Sequence, residues 1–322
     1  MSANSLTVRV ARKSAETAEI CSFELSAPDG GELPPFTAGA HIDVHLPGGI
    51  TRQYSLCNEP SERGRYRIAV LREPASRGGS RAMHDDVREG DLLQIGMPRN
   101  LFALEESAAR HILMAGGIGI TPLWCMAQRL AAIGADFELH YCARSLGRMA
   151  FHEPLRQAAY ADRVQLHLDD GAPAQKLDLA AACTPAAGTH LYVCGPKGFM
   201  DAVLDAARAR GWPQDRLHHE FFAADPAPAG GDGDGEFSVK LASSGQIVKV
   251  PAGCSVTHAL AEAGIDVPVA CEQGICGTCL TRVLEGQPDH RDLFLSPEEQ
   301  AGNTQFTPCC SRAKTPLLVL DL

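Results

Sequence analysis

The chain has 322 residues, a formal net charge of −10 and 45% hydrophobic residues. This length predicts two or three domains, and the acidic balance argues against nucleic-acid binding and against attraction to an anionic membrane surface. The N-terminus lacks the apolar core of a signal peptide. One uncharged apolar stretch, residues 112–127, contains three glycines and a proline and is too short to span a membrane. We therefore expect a cytoplasmic protein that binds neither nucleic acid nor membrane.

The first part of the chain, residues 1–105, carries short alternating or apolar runs separated by turns. Such runs are typical of antiparallel strands in a barrel or sandwich. We therefore predict an antiparallel β-barrel here, with strands at residues 41–47, 51–56, 66–72 and 91–98.

From residue 106 to residue 222 the pattern changes to strand, turn and helix, repeated several times. This alternation predicts an α/β domain with a doubly wound parallel sheet, which binds ligands at the carboxyl ends of its strands. The predicted strands include residues 111–115, 137–141, 164–168 and 190–194.

The segment of residues 223–236 is so rich in proline, glycine and aspartate that it predicts a linker. The remaining residues, 237–322, begin with a predicted hairpin. A helix follows from Val256, with Ser255 as its N-cap. A short helix opens at residues 296–299, where Ser296 and Glu299 fit a capping box. We predict a separate α+β domain for this last part.

Three cysteines of the last domain, Cys271, Cys276 and Cys279, have the spacing C-x4-C-x2-C. Cys309 and Cys310 are the two candidates for a fourth member, and chemistry alone does not choose between them. Four thiolates, with the first three in this order, are typical of plant-type 2Fe–2S clusters.

Glycines in the cysteine loop support this interpretation. Gly274 and Gly277 allow the loop to wrap closely around a cluster and to adopt positive φ angles. A zinc site is the alternative, but zinc loops usually pair cysteines as two C-x2-C knuckles. Isolated cysteines elsewhere are interpreted as buried apolar residues, namely Cys21, Cys57, Cys125, Cys142 and Cys183.

Two glycine-rich turns join strand to helix in the second domain, at residues 115–122 and 192–200. Backbone N–H groups of such turns can bind a pyrophosphate at a helix N-terminus. One turn alone is weak evidence because ordinary turns look alike, but two turns in one parallel sheet favour nucleotide binding. The candidate residues are Gly116, Gly117, Gly119, Thr121, Cys194, Gly195 and Pro196.

Two motifs in the barrel region combine cationic and hydroxyl groups. RQYSL, residues 52–56, places a cation, an aromatic ring and a hydroxyl on one strand, although these five residues alone favour an ordinary strand with a solvated arginine. SRGGS, residues 76–80, is a turn that can cradle a phosphate.

In their order along the chain, RQYSL, the RGGS turn, GGIGITP, CGP and C-x4-C-x2-C resemble the phthalate dioxygenase reductase family, which includes vanillate O-demethylase reductases. The resemblance implies an FMN-binding barrel, an NAD-binding domain like that of ferredoxin reductases, and a plant-type ferredoxin of β-grasp fold. It implies electron transfer from NADH through FMN and the 2Fe–2S cluster to the terminal oxygenase of a Rieske-type system. Alternatives are a reductase of a haem monooxygenase and a redox-sensing protein with little turnover. We expect a monomer.

The resemblance also assigns roles to individual residues. It makes Cys309 the fourth cluster ligand, and it makes Ser55, Thr121 and Cys194 the candidate catalytic residues. Glu220 belongs to the same motif as Phe222, without a defined role. The flavin contacts that it implies are Arg52, Gln53, Tyr54, Ser55, Ala69, Val70, Arg77, Gly78, Gly79, Ser80 and Phe222.

The choice of nucleotide rests on the residues after the second strand of the parallel sheet. Ser145 stands where some NADH-specific relatives have an acidic residue that binds the ribose hydroxyl. Arg144 and Arg148 lie nearby in sequence, and their charges suit a 2′-phosphate. NADH is the expected electron donor, and the use of NADPH stays an open alternative. Hydride transfer needs no acid–base residue, so we interpret His218, His219 and His290 as structural or surface groups.

Overall fold

The computed structural model describes residues 5–74, 78–223 and 235–322. It divides into two compact units, Met1–Phe222 and Ala223–Leu322. Arg77 and most of the predicted linker, residues 224–234, lie outside the described residues. In the described part of the chain, no helix has the length and apolar character needed to cross a membrane.

The first unit begins with a sheet of six strands in the order β4-β3-β6-β1-β2-β5, with all neighbours antiparallel. Cys57, just beyond β4, donates a backbone hydrogen bond of 2.8 Å to Arg67 of β5, so the two edges meet and the barrel is nearly closed. Alternating residues such as Val8, Val44 and Ile95 fill its interior. The elements are β1 Ser5–Ala15, β2 Ile20–Ser26, β3 His41–Leu46, β4 Ile50–Ser55, β5 Tyr66–Leu71, α1 Gly79–Asp85 and β6 Leu92–Gly96.

The second sheet is parallel and has the order β11-β10-β7-β8-β9. The chain runs outward from β7 on one side and then crosses over to β10, so the topological switch point lies between β7 and β10. Both predicted glycine turns follow these two strands. The elements are β7 Arg110–Gly116, α2 Ile120–Ala132, β8 Phe137–Ala143, α3 His152–Gln157, β9 Val164–Leu168, α4 Leu179–Ala182, β10 Thr189–Cys194, α5 Lys197–Ala209 and β11 Leu217–Glu220.

The second unit has a mixed sheet in the order β13-β12-β18-β14-β16, in which β12 and β18 are parallel. The predicted caps are present, because Ser255 accepts from the His258 N–H and Ser296 forms a capping box with Glu299. The elements are β12 Phe237–Leu241, β13 Ile247–Val250, α6 Val256–Glu262, β14 Thr281–Glu285, β15 Pro288–Asp289, α7 Pro297–Gly302, β16 Gln305–Phe306, β17 Arg312–Ala313 and β18 Leu317–Leu320.

An arginine packs at the junction between the barrel and the parallel sheet. The Arg67 guanidinium carbon lies 5.3 Å and 4.8 Å from the ring centroids of Trp124 and Phe151. Its Nη2 is 3.0 Å from a carboxylate oxygen of Glu16, and only 18% and 14% of the two side chains are exposed. A barrel ion pair is therefore covered by aromatic rings of the second domain.

We expect Arg67→Ala to lower the free energy of unfolding of the first unit by about 3 kcal/mol, since Glu16 would stay buried without its cation. Urea unfolding followed by circular dichroism measures this. Arg65→Ala is the matched control. Arg65 is 40% exposed and pairs with Glu24, so its loss should cost less than about 1 kcal/mol. Equal costs for both variants would contradict the prediction.

Candidate functional site

The two glycine turns at the switch point touch each other through their backbones. A Cβ atom on Gly119 would overlap the carbonyl of Cys194, and one on Gly116 would lie 2.8 Å from the ring of Phe199. Gly117 differs, because it has a φ of +55° and open space where a side chain would be. Packing thus explains Gly116 and Gly119, whereas Gly117 leaves open space beside its backbone.

Cys194 and Thr121 lie at this junction and are both buried. The Thr121 hydroxyl donates to the Ile118 carbonyl at 3.1 Å, so it bonds within its own turn. Burial raises the pKa of the Cys194 thiol well above its ordinary value, and the nearby Glu220 raises it further. Cys194 is therefore a neutral thiol, and Gly195 and Pro196 follow it into the start of α5.

A hydrogen bond joins RQYSL, the predicted flavin motif, to the parallel sheet. The Ser55 hydroxyl, at the end of β4, donates to Oε2 of Glu220 at 3.3 Å. The register of β10 and β11 sets Glu220 beside Cys194. Burial raises the pKa of Glu220 to about 8, while the Ser55 bond lowers it by less. Three residues from distant parts of the chain thus meet at one place.

Glu220 is the site residue for which the sequence analysis found no role. The available signal was its position at the carboxyl end of the last parallel strand, the edge at which such sheets bind ligands. Phe222, two residues further, is 37% exposed. Its ring is available to cover a ligand, as the resemblance implies.

The other residues of the flavin motif lie along β4, and the second predicted flavin-binding turn leads into α1. Gln53 donates to Asp43 at 3.0 Å, and burial raises the pKa of the Tyr54 hydroxyl. Arg52 packs so closely on Gly79 that a Cβ there would overlap its side chain. The structure therefore brings Arg52 of RQYSL to Gly79 of the predicted phosphate-binding turn.

The turn itself and β5 complete this region. Gly78 has a φ of +95°, and the Ser80 hydroxyl accepts from the Glu73 N–H at 3.1 Å. Ala69 and Val70 of β5 are buried. The Val70 carbonyl lies 2.9 Å from Nε2 of His84, a residue that sequence reasoning did not select.

The predicted nucleotide-selecting residues follow β8. Ser145 is extended and half-buried, and Arg144 is exposed. Arg148 donates to Oε1 of Glu19 at 2.9 Å. A carboxylate of the barrel domain thus already pairs with one of the two arginines that were considered for a 2′-phosphate.

The cysteine loop brings its thiols together. Cys271, Cys276, Cys279 and Cys309 are all buried, and the Cys309 thiol lies against those of Cys271 and Cys279. The Cys310 sulfur lies against the Cys309 thiol and also contacts the Thr307 hydroxyl at 3.3 Å. The two adjacent candidates thus differ in environment.

The loop backbone fits a cluster. Gly274 and Gly277 have φ angles of +71° and +65°, and added Cβ atoms would overlap Cys310 and Phe294. The Gln273 N–H donates to the Cys271 sulfur at 3.4 Å, the type of bond that stabilises cluster thiolates. Among the described residues, no group of three or more His, Cys, Asp or Glu side chains forms a ready metal site, so the ligand set stays a prediction.

Comparison with known proteins adds independent evidence. Residues 239–314 match the family of 2Fe-2S iron-sulfur cluster binding domains. Residues 97–217 match the N-terminal domain of DmmA-like dimethylamine monooxygenase subunits. The first match coincides with the domain that carries the cysteine loop.

Whole-chain relatives exist as well. The chain is 59% identical over 315 residues to a vanillate O-demethylase oxidoreductase of Pseudomonas putida, covering 97% of this chain and 98% of the relative. It is similar to phthalate dioxygenase reductase, a modular structure for electron transfer from pyridine nucleotides to 2Fe–2S, with 41% identity, a TM-score of 0.77 and coverage of 99% and 98%. An intact type IV self-sufficient cytochrome P-450 monooxygenase matches with 39% identity and a TM-score of 0.86, over 99% of this chain but 41% of that one. These matches confirm the predicted fold, and the chain belongs to the family of vanillate O-demethylase oxidoreductases and phthalate dioxygenase reductases.

Proposed function

We propose that this chain is the reductase component of a Rieske-type oxygenase or demethylase system. It passes electrons from NADH through FMN and a 2Fe–2S cluster to the terminal oxygenase. The observation that carries the proposal is the 3.3 Å hydrogen bond between Ser55 and Glu220. This bond joins the flavin motif to the ligand-binding edge of the parallel sheet, where a flavin and a nicotinamide have to meet. The names of the whole-chain relatives support the same activity.

The barrel domain, residues 1–105, holds FMN in this proposal. Arg52 and the turn that contains Gly78 and Gly79 bind the phosphate, since a guanidinium and backbone N–H groups suit it. Tyr54, Ser55 and the β5 backbone surround the ring, which Phe222 covers. When bound, FMN supplies the conversion of an electron pair, received as hydride, into single electrons.

The second domain, residues 106–222, binds the dinucleotide. Gly117 offers its open backbone to the pyrophosphate at the start of α2. Thr121 and Cys194 line the nicotinamide position, where the neutral Cys194 thiol keeps water out without reacting. Ser55 orients the accepting face of the flavin through its hydroxyl.

The third domain, residues 237–322, holds the cluster through Cys271, Cys276, Cys279 and Cys309. The division of the chain after Phe222 supports a separate ferredoxin domain connected by residues 223–236. Four buried thiols and an N–H···S bond suit a centre that takes up one electron at a time.

A haem monooxygenase is the second candidate for the electron acceptor. The similarity of the chain to part of a self-sufficient cytochrome P-450 monooxygenase favours it. Reduction of purified oxygenase components of each type distinguishes the two acceptors.

The proposal predicts that the iron-loaded chain has flavin and cluster absorbance, and that NADH bleaches both under anaerobic conditions. Cys309→Ser should keep flavin reduction but lower NADH-dependent cytochrome c reduction by at least about tenfold, the range that even outer-shell changes produce. Cys310→Ser is the matched control and should keep both activities. A protein that is prepared with ample iron but shows no visible absorbance and does not react with NADH would refute the function. Loss of activity in Cys310→Ser alone would refute the ligand set.

Glu220 predicts a pH dependence of flavin reduction. With a pKa of about 8, its carboxyl is neutral below that pH and ionised above it. An ionised carboxylate opposes the negative charge that hydride brings to the flavin, so the rate should fall as pH rises through about 8. Stopped-flow reduction of Glu220→Gln should show no such transition, while exposed Glu285→Gln keeps it. A transition that persists in Glu220→Gln would contradict this assignment.

Ser145 predicts the nucleotide preference. Ser145→Asp should lower kcat/KM for NADPH severalfold relative to NADH, because its carboxylate repels a 2′-phosphate and accepts a bond from a 2′-hydroxyl. Ser145→Asn has the same size without the charge and should change the ratio much less. Steady-state kinetics with both nucleotides provides the test, and equal ratios in the two variants would exclude this role.

A further inference from the structure

A fully buried carboxylate, that of Asp292, lies beside the cysteine loop. None of its side-chain surface is exposed. Burying a carboxylate is costly unless hydrogen bonds compensate for the lost water. The groups that hydrogen-bond to the Asp292 carboxylate therefore indicate its structural role.

Two segments donate hydrogen bonds to this carboxylate. The Leu295 N–H donates to Oδ2 at 2.8 Å, and the Ser311 hydroxyl donates to Oδ1 at 3.4 Å. Nδ1 of His290 lies 3.5 Å from the same Oδ1. His290 is thus a buried neighbour of Asp292 rather than a surface group.

Asp292 also contacts the cysteine loop through its backbone. Its Cα and Cβ lie so close to Gly274 that a side chain there would come within 2.9 Å of them. The next residue, Leu293, donates its N–H to the Gly274 carbonyl at 3.0 Å. The Asp292 segment therefore rests directly on the loop that carries three of the four cysteines.

On its other side, Asp292 reaches the turn that carries the fourth cysteine. Ser311, two residues after Cys309, also accepts from the Arg291 N–H at 3.1 Å and contacts the Thr307 hydroxyl at 3.1 Å. Asp292 therefore connects the two separate segments that contribute the thiols, through its backbone on one side and its carboxylate on the other.

The charge of Asp292 matters as much as its position. The nearby Asp289 and Arg291 pair with each other at 2.8 Å, and Arg312 donates to backbone carbonyls. Reduction of a cluster held by four thiolates adds one electron and one negative charge, with no bond made or broken. A buried carboxylate close by opposes that charge strongly, because the surrounding dielectric is low.

We propose that Asp292 is a positioning residue for the cluster. It holds the Cys309 turn against the cysteine loop, and its negative charge lowers the potential at which the cluster accepts an electron. This inference rests on the proposed cluster ligation and adds the residue that aligns and tunes it.

Asp292→Asn tests the inference, since asparagine keeps the size and an accepting oxygen but removes the charge. In an anaerobic redox titration of the full-length, iron-loaded protein, followed by electron paramagnetic resonance, its midpoint potential should be more positive than that of the wild type. Asp321→Asn is the matched control from the same unit. Asp321 is 54% exposed and pairs with Arg282, so its loss should leave the midpoint unchanged.

A second variant tests the positional role separately. Ser311→Ala removes the hydroxyl between Asp292 and the Cys309 turn, so its iron content should fall and its visible absorbance should decay faster. Ser243→Ala, which removes a bond to the Leu322 carbonyl on an exposed turn, should behave like the wild type.

The outcomes separate this inference from the proposed function. A wild-type protein without a cluster signal would refute the function itself. A wild type with a normal signal, together with unchanged potential in Asp292→Asn and unchanged iron content in Ser311→Ala, would overturn this inference alone. Loss of the cluster from Asp292→Asn but not from Asp321→Asn would support the positional role.

Discussion

The close approach of the two backbone turns after β7 and β10 is the constraint on which the candidate active site depends. Gly119 lies so near Cys194 and Gly195 that no side chain fits between the turns. This contact fixes the carboxyl end of β10, and the register of β11 then carries Glu220 to the barrel. The close approach of the two turns thus helps to place the Glu220 carboxyl group within reach of the Ser55 hydroxyl.

Buried charges are accommodated in three different ways in this molecule. Arg67 and Glu16 neutralise each other beneath two aromatic rings. Glu220 is held toward its neutral form by burial, beside the carboxyl end of β10. Asp292 receives hydrogen bonds from a backbone N–H and a hydroxyl. Each solution suits its place: a joint between domains, the carboxyl edge of the parallel sheet and the support of the cysteine loop.

The isolated cysteines show how far composition and pattern reach. Cys57, Cys125 and Cys183 are buried as predicted, whereas Cys21 and Cys142 are only half-buried, which corrects the prediction for these two. Both half-buried residues lie on strands, in β2 and β8, where successive side chains point to opposite faces. Apolar neighbours in the sequence therefore do not show whether a cysteine lies on the buried or on the exposed face of its strand.

The sequence by itself determined what depends on near neighbours: the three kinds of sheet, the caps at Ser255 and Ser296, and the C-x4-C-x2-C loop. Periodicity, capping and short spacings are local, so they can be read along the chain. Only the tertiary structure decided that Ser55 meets Glu220, 165 residues away. It also gave the adjacent Cys309 and Cys310 different surroundings and placed Asp292 between two cysteine segments. These contacts depend on strand register and on the packing of distant segments, which no local pattern contains.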